Sequence, residues 1–345
     1  MKLHSRISKL KAILKRDSRL INKIGNEEEF IRGEIVLKST PTNYIIGLTN
    51  VCNLRCPLCV TGLRLQQKPL KFIDVVLFKQ IIDKIKDYAC LVQLYNWGES
   101  LLHRDIMEIL EYCYRFNLNT EISSNLSLTN IDDKLELLVK YKVKHLIVSF
   151  DGIDQKDYER YRVGGNFELV LKNINKIREY KDIYKSNYPI ISLQYLRNKF
   201  TTNQIDVIKE KHKEWGADDY YVCDMTTIFK DRNMEKNKEW FDQDEINKRK
   251  YLDVDVSMHG RRCYFLYTAM VIEQDGSIVP CCFATDPNDD FGQWDNRKTI
   301  IEMYNSEKFV KARSIFKNRV PQNNLVCSSC PAFITFCNAC KETDQ

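Results

Sequence analysis

Three cysteines, Cys52, Cys56 and Cys59, fall in one short segment with the spacing C-x3-C-x2-C. Three thiolates so placed can hold three irons of a [4Fe–4S] cluster and leave the fourth iron without a protein ligand. A catalytic metal centre needs such an open position, as a catalytic zinc keeps one place for its substrate. The alternatives are a zinc site or three buried thiols. Zinc asks for a fourth Cys or His nearby, and the next after Cys59 is Cys90. A second group, Cys263, Cys281, Cys282, Cys327, Cys330, Cys337 and Cys340, crowds the end of the chain. Its first part has the form C-x12-G-x4-C, with Asp275-Gly276 reading as the turn of a hairpin. Its last part is C-x2-C-x6-C-x2-C. Two such pairs can make a zinc ribbon, but six intervening residues form a very short loop for one.

These cysteines sit in an otherwise ordinary composition. The chain has 345 residues, 43% hydrophobic and 29% charged, which suits two domains or one barrel with an appendage. Lys and Arg number 53 and Asp and Glu 47, so the balance is +6, too mild to argue for nucleic acid. No run approaches the length of a membrane span, and residues 1–26 lack the apolar core of a signal peptide. Thirteen Cys, an odd count, in a long signal-less chain read as a cytoplasmic metal or iron–sulfur protein rather than a disulfide scaffold. The five His form no cluster.

The elements that would position the first cysteines alternate. Strand patterns at 44–51, 91–98, 119–126, 145–152, 189–196 and 220–224 are rich in Ile, Val, Leu, Tyr and Thr, and most end in Asn, Gly or Asp. Amphipathic stretches at 74–88, 105–116, 131–141, 167–180 and 201–215 lie between them. Six strand–helix units imply a parallel sheet with right-handed crossovers, too few for a closed eight-stranded barrel. The expected fold is α/β, an open (β/α)6 partial barrel with its site at the C-terminal strand ends. Four segments follow: 1–43, a basic helical region; 44–224, the barrel; 225–260, a polar linker; 261–345, a small Cys-rich domain. Residues 1–26 carry an apolar stripe beside Lys and Arg, which suits a membrane surface or a partner, or simply packing against the barrel. Cys90 and Cys113 read as core. Cys223 ends the sixth strand, where it is either a buried thiol or a hydrogen-atom donor facing the barrel mouth.

On the loop Cys52-Asn53-Leu54-Arg55-Cys56-Pro57-Leu58-Cys59 after the first strand, the chain resembles the radical S-adenosylmethionine (SAM) superfamily. The resemblance implies a [4Fe–4S] cluster on Cys52, Cys56 and Cys59, with SAM chelating the open iron. Leu58 departs from the family, which usually has an aromatic residue there. Trp97-Gly98-Glu99-Ser100 resembles the G-G-E-P segment that meets the SAM amine, with Trp97 in place of the first Gly. By the same resemblance Ser123, Ser124 and Asn125, then Ser149 and Asp151, supply ribose and carboxylate contacts; each also suits an ordinary turn. The segment from Tyr158 to Gly165 resembles one branch of the superfamily, with no role assigned to its arginines.

The second Cys group resembles SPASM/Twitch auxiliary-cluster domains. Four ligands, Cys263, Cys281, Cys327 and Cys330, would serve one auxiliary cluster. Cys282, Cys337 and Cys340 would complete a second, replace a member of the first set, or stay free. The activity so implied is hydrogen abstraction by a 5′-deoxyadenosyl radical, fed by an external one-electron reductant. The leading expectation for substrate is a small polyol, aminocyclitol or sugar that is dehydrogenated or epimerised. The alternatives are maturation of a ribosomally made peptide, less favoured because only about 43 residues precede the first strand, and a non-catalytic iron–sulfur or zinc scaffold.

Overall fold

The computed structural model describes residues 17–224, 239–240, 262–330 and 332–334. Cys337, Cys340, residues 1–16 and nearly all of 225–260 lie outside the described residues.

The chain enters through helix α1 (Ser18–Arg32). Asp17 caps it by accepting from Leu20 N, and Gly33, with φ 66°, ends it. In the described part of the N-terminal stripe, Ile24 and Asn26 are buried, Arg19 donates to Lys86 O and Phe116 O, and Asn26 donates to Tyr267 O. This part of the stripe packs on protein.

The repeating units follow as β1 (Asn43–Ile46), α2 (Val75–Ile85), β2 (Leu91–Gln93), α3 (Ile106–Arg115), β3 (Thr120–Ser124), α4 (Asp132–Lys140) and β4 (His145–Ser149). Then come α5 (Gln155–Tyr161), α6 (Phe167–Ile183), β5 (Ile190–Arg197), α7 (Ile205–Lys211) and β6 (Asp219–Asp224). Each expected strand is present, though most end sooner than the sequence pattern suggests, because their last residues leave the ladder to build the site. The sheet runs β6-β5-β4-β3-β2-β1, all parallel. It does not stop at β1. After α8 (Phe265–Thr268), β7 (Ala269–Ile272) pairs parallel to β1, with Ile46 beside Ile272. Strands β8 (Ser277–Val279) and β9 (Gly292–Gln293) extend it antiparallel. Helices α9 (Ile300–Tyr304) and α10 (Glu307–Asn318) complete the described elements; Thr299 and Glu302 form a capping box on α9.

A parallel sheet is ordinarily apolar on both faces. Here Tyr44, Ile46, Val92, Ile122, Leu146, Val148, Ile191 and Leu193 join one core cluster under the helices. Several of the residues alternating with them, Gln93, Glu121, His145, Ser192 and Gln194, are polar, while Ile45 and Ile147 are apolar. The polar ones are also bonded to one another: His145 Nδ1 lies 2.7 Å from Glu121 Oε2 and Nε2 lies 2.7 Å from Ser192 Oγ, while Tyr95 donates to Glu121 at 2.6 Å. The concave face is therefore a wall built for polar contents. Cys113 is buried in α3 as core, whereas Cys90 is only half-buried.

Candidate active site

The three cysteines leave the sheet at the end of β1, and their loop is tied down at many points. Thr49 and Asn50 bond the backbone of Pro69 and Lys71. Asn53 donates to Ser127 O and accepts from Asn125 Nδ2 at 3.0 Å. Arg55 N donates to Val163 O. The chain then folds back on Cys56: a Cβ at Gly62 would lie 2.4 Å from Cys56 O and 2.5 Å from Cys56 N. Only a glycine permits that approach. Gly98 is constrained in the same way from the other side, with φ 98° and a hypothetical Cβ 2.5 Å from Thr49 O.

The loop forms one wall of a cavity of about 290 Å3 at the C-terminal ends of the strands. Cys52, Cys56, Cys59 and Leu58 line it, with Gly98, Glu99, Ser124, Asn125 and Ser149, so these expected residues share one space. Ser123 lines it too, whereas sequence reasoning did not include Asn96, Gln194, Tyr161, Arg162 or Phe283 in it. Glu99 is buried, and both its oxygens are taken: Oε1 accepts from Ser124 Oγ and Leu101 N, Oε2 from Asn125 N at 2.8 Å. Burial pushes its pKa up, against those hydrogen bonds. It ties the end of β3 to the loop after β2.

Asp151 is fully buried behind the wall. It accepts from Leu196 N at 2.7 Å and from Arg162 Nε at 2.5 Å, and pairs with Arg162 Nη2. Arg162 Nη1 in turn stands 3.7 Å from Cys56 Sγ. The Arg162 pKa lies well above its ordinary value: burial opposes the charge, and Asp151 and Cys56 outweigh it. Burial pushes the Cys52 thiol up to about 12 and raises Cys56, whose rise Arg162 limits. Cys223 lies one step away, its Sγ 3.8 Å from Gln194 Nε2.

The second group also converges. Burial raises the pKa of Cys263 to about 12 and lifts Cys281 and Cys327 well above the ordinary thiol. Beyond burial, Cys263, Cys281 and Cys330 each raise Cys327, and Cys282, then Cys263 and Cys330, raise Cys281. These four thiols are electrostatic neighbours. Cys282, half-buried, is a neighbour of Cys281 and Cys263, and burial pushes its thiol up to about 11.

A family model described as the radical SAM superfamily matches residues 46–193, and one described as an iron–sulfur cluster-binding domain, SPASM, matches residues 263–331. The chain is a radical SAM protein with a SPASM domain. The radical SAM match runs from β1 into β5 and takes in the cysteine loop and most of the residues that share its cavity, with Gln194, Leu196 and Phe283 beyond it. Two curated relatives of this radical SAM protein are the PqqA peptide cyclase of Gluconobacter oxydans, 26% identical over 53% of this chain and 49% of the relative, and AlbA of Bacillus subtilis, an antilisterial bacteriocin subtilosin biosynthesis protein, 23% identical over 70% and 55%. The chain thus spans about half the length of the curated relatives it matches. SuiB of Streptococcus suis, solved with its precursor peptide SuiA, shares the fold with TM-score 0.63 at 18% identity, over 91% of this chain and 74% of SuiB.

Radical SAM and SPASM domains hold [4Fe–4S] clusters, and the donor sets here suit them. Among the described residues no three His, Cys, Asp or Glu side chains surround one point as a single ion demands. A cubane takes each thiolate on a different iron, and the three thiols lining the cavity are donors of that kind. The polar remainder of the wall and the Arg162 guanidinium suit a zwitterionic, hydroxyl-bearing ligand such as SAM. Among the described residues no helix is long and apolar enough to cross a membrane.

Proposed function

We propose that this chain is a radical SAM maturase that modifies a ribosomally made peptide. In this reading Cys52, Cys56 and Cys59 hold a [4Fe–4S] cluster, and SAM occupies the rest of the 290 Å3 cavity. Bound there and reduced by an external one-electron donor, the pair supplies a 5′-deoxyadenosyl radical able to take hydrogen from an unactivated C–H bond. The protein binds, orients and excludes water. Gly98 lets the loop after β2 approach closely. Ser149, Asn125 and Gln194 present polar groups to the ligand, Leu58 and Leu54 an apolar edge. Arg162, held by Asp151, offsets negative charge at Cys56. Glu99 acts by fixing Ser124 and Asn125. Cys263, Cys281, Cys327 and Cys330 carry one auxiliary cluster, with Cys282 in reserve. Cys223, behind Gln194, is a thiol within one side chain of the cavity.

The observation that carries the reading is the convergence of three thiols, Arg162 and the strand-end serines on one cavity. The peptide substrate is favoured over a polyol, aminocyclitol or sugar by the relatives: one is named a peptide cyclase, one a bacteriocin biosynthesis protein, and SuiB has been solved with a precursor peptide. The test is anaerobic reconstitution with dithionite and SAM, with and without short precursor-type peptides encoded beside the gene. Formation of 5′-deoxyadenosine with a mass change in a peptide supports the proposal. 5′-Deoxyadenosine coupled only to loss of a polyol would reinstate the small-molecule reading, and none at all would favour a scaffold.

A further inference from the structure

A second cavity of about 20 Å3 lies between the cysteine-loop side and β7, lined by Asn50, Lys68, Trp97, Glu273 and Gln274 among others. That volume accommodates about one water. Two buried atoms of its lining residues lack a partner: Trp97 Nε1, which can only donate, and Gln274 Oε1, which can only accept. Buried polar groups are rarely left so, and one water in reach of both would satisfy them. Glu273 completes the wall. It is 4% exposed, and Asn96 Nδ2 donates to its Oε1 at 2.6 Å. Its Oε2 lies against bare backbone, 3.1 Å from where a Cβ at Gly47 would stand. Asn96 and Trp97 also line the principal cavity. A carboxyl on the SPASM side thus bonds Asn96 of the radical SAM wall and shares the small cavity with Trp97.

We propose that the small cavity binds a single ordered water between Trp97 and Gln274, and that Glu273 with this water is a positioning unit whose charge sets ligand affinity in the principal cavity. The choice of SAM as probe ligand rests on the function proposed above. Burial holds the Glu273 pKa up to about 7, with Lys68 and Asn96 pulling it down and Asp275 and Asp290 pushing it up. Cys282 also feels its charge. Lys68 is shared, its Nζ bonding Asp290 at 2.8 Å. Ionised Glu273 accepts charge-assisted hydrogen bonds, the stronger kind, so Asn96 is held more firmly above neutrality than below it.

The test measures SAM dissociation constants anaerobically on the cluster-loaded protein at pH 6 and pH 8. Glu273→Gln keeps an acceptor for Asn96 but not the charge, and it cancels the titration of SAM itself. The wild type is expected to tighten between the two pH values by about fivefold more than Glu273→Gln. Equal ratios overturn the positioning role. A high-resolution crystal structure should show the water within hydrogen-bonding distance of Trp97 Nε1 and Gln274 Oε1, and lose it in Trp97→Phe; a dry wild-type cavity overturns that half. If SAM binds at no pH, the proposed function fails instead. The water and the Glu273 carboxyl band, followed by infrared difference between wild type and Glu273→Gln, are read without SAM. A carboxyl that titrates in the ordinary glutamate range overturns the unit by itself.

Discussion

Replacing Asp151 by Asn should cost more than any other single polar change at this site. The carboxylate is fully buried and answers three donors: Arg162 Nε, Arg162 Nη2 and Leu196 N. The Arg162 side chain is only 14% exposed, so solvent does little to replace its counter-ion. Removing one partner of a buried pair typically costs about 3–5 kcal/mol, because the other charge stays buried and uncompensated. An amide can keep one acceptor, which places Asp151→Asn near the lower end of that range. At roughly 2 °C per kcal/mol for a chain of this size, the expected fall in Tm is about 6 °C. The same change frees the guanidinium that stands 3.7 Å from Cys56 Sγ. Differential scanning calorimetry on the anaerobic protein reads the loss. The double variant Asp151→Asn/Arg162→Gln removes both charges and should recover most of it, a coupling that a double-mutant cycle isolates. A single variant that melts within a degree of the wild type, or a double variant as unstable as the sum, would refute the argument.

Gly62→Ala should abolish stable cluster loading, since its Cβ would meet Cys56 backbone at 2.4 and 2.5 Å rather than a yielding side chain; iron analysis after reconstitution reads this, and full iron content would count against it. Gly98→Ala adds a strained φ of 98° to a clash with Thr49 O at 2.5 Å, so it should weaken SAM binding and lower Tm together. Glu121 is held below the ordinary glutamate range: burial pushes it up, but hydrogen bonds from His145, Tyr95 and Gln93 prevail. A depressed carboxyl contributes stability above its unfolded pKa and loses it as pH falls through the folded one. Thermal stability should therefore drop less steeply on acidification in Glu121→Gln than in the wild type; parallel curves would contradict it.

What the sequence made legible was local. Cys52, Cys56 and Cys59 declare themselves by spacing, and Gly98, Glu99, Asn125 and Ser149 by the resemblance of their segments to those of the radical SAM superfamily. What it hid depends on distant approach. Arg162 reaches Cys56 across 106 positions, and nothing near Arg162 marks it apart from its neighbour Arg160. Gly62 and Gly47 matter because other backbone or a buried carboxyl comes close, which no pattern around them signals. The pairing of β7 with β1 joins the SPASM region to the barrel sheet, so a boundary in composition near residue 261 is not a boundary in hydrogen bonding. For Asp151 the resemblance implied a ligand contact beside an ordinary turn role; its described carboxylate bonds are to Arg162 and Leu196.

The central claim is a cluster with one iron left for SAM on the wall formed by Cys52, Cys56 and Cys59. Electron paramagnetic resonance of the dithionite-reduced protein, recorded with and without SAM, tests it most directly, with the auxiliary ligands Cys281 and Cys327 changed to Ala so that one signal remains. The account predicts a reduced [4Fe–4S] signal whose g-values shift on adding SAM and which vanishes in Cys56→Ala. A signal that SAM leaves unmoved, or that survives loss of Cys56, would contradict it.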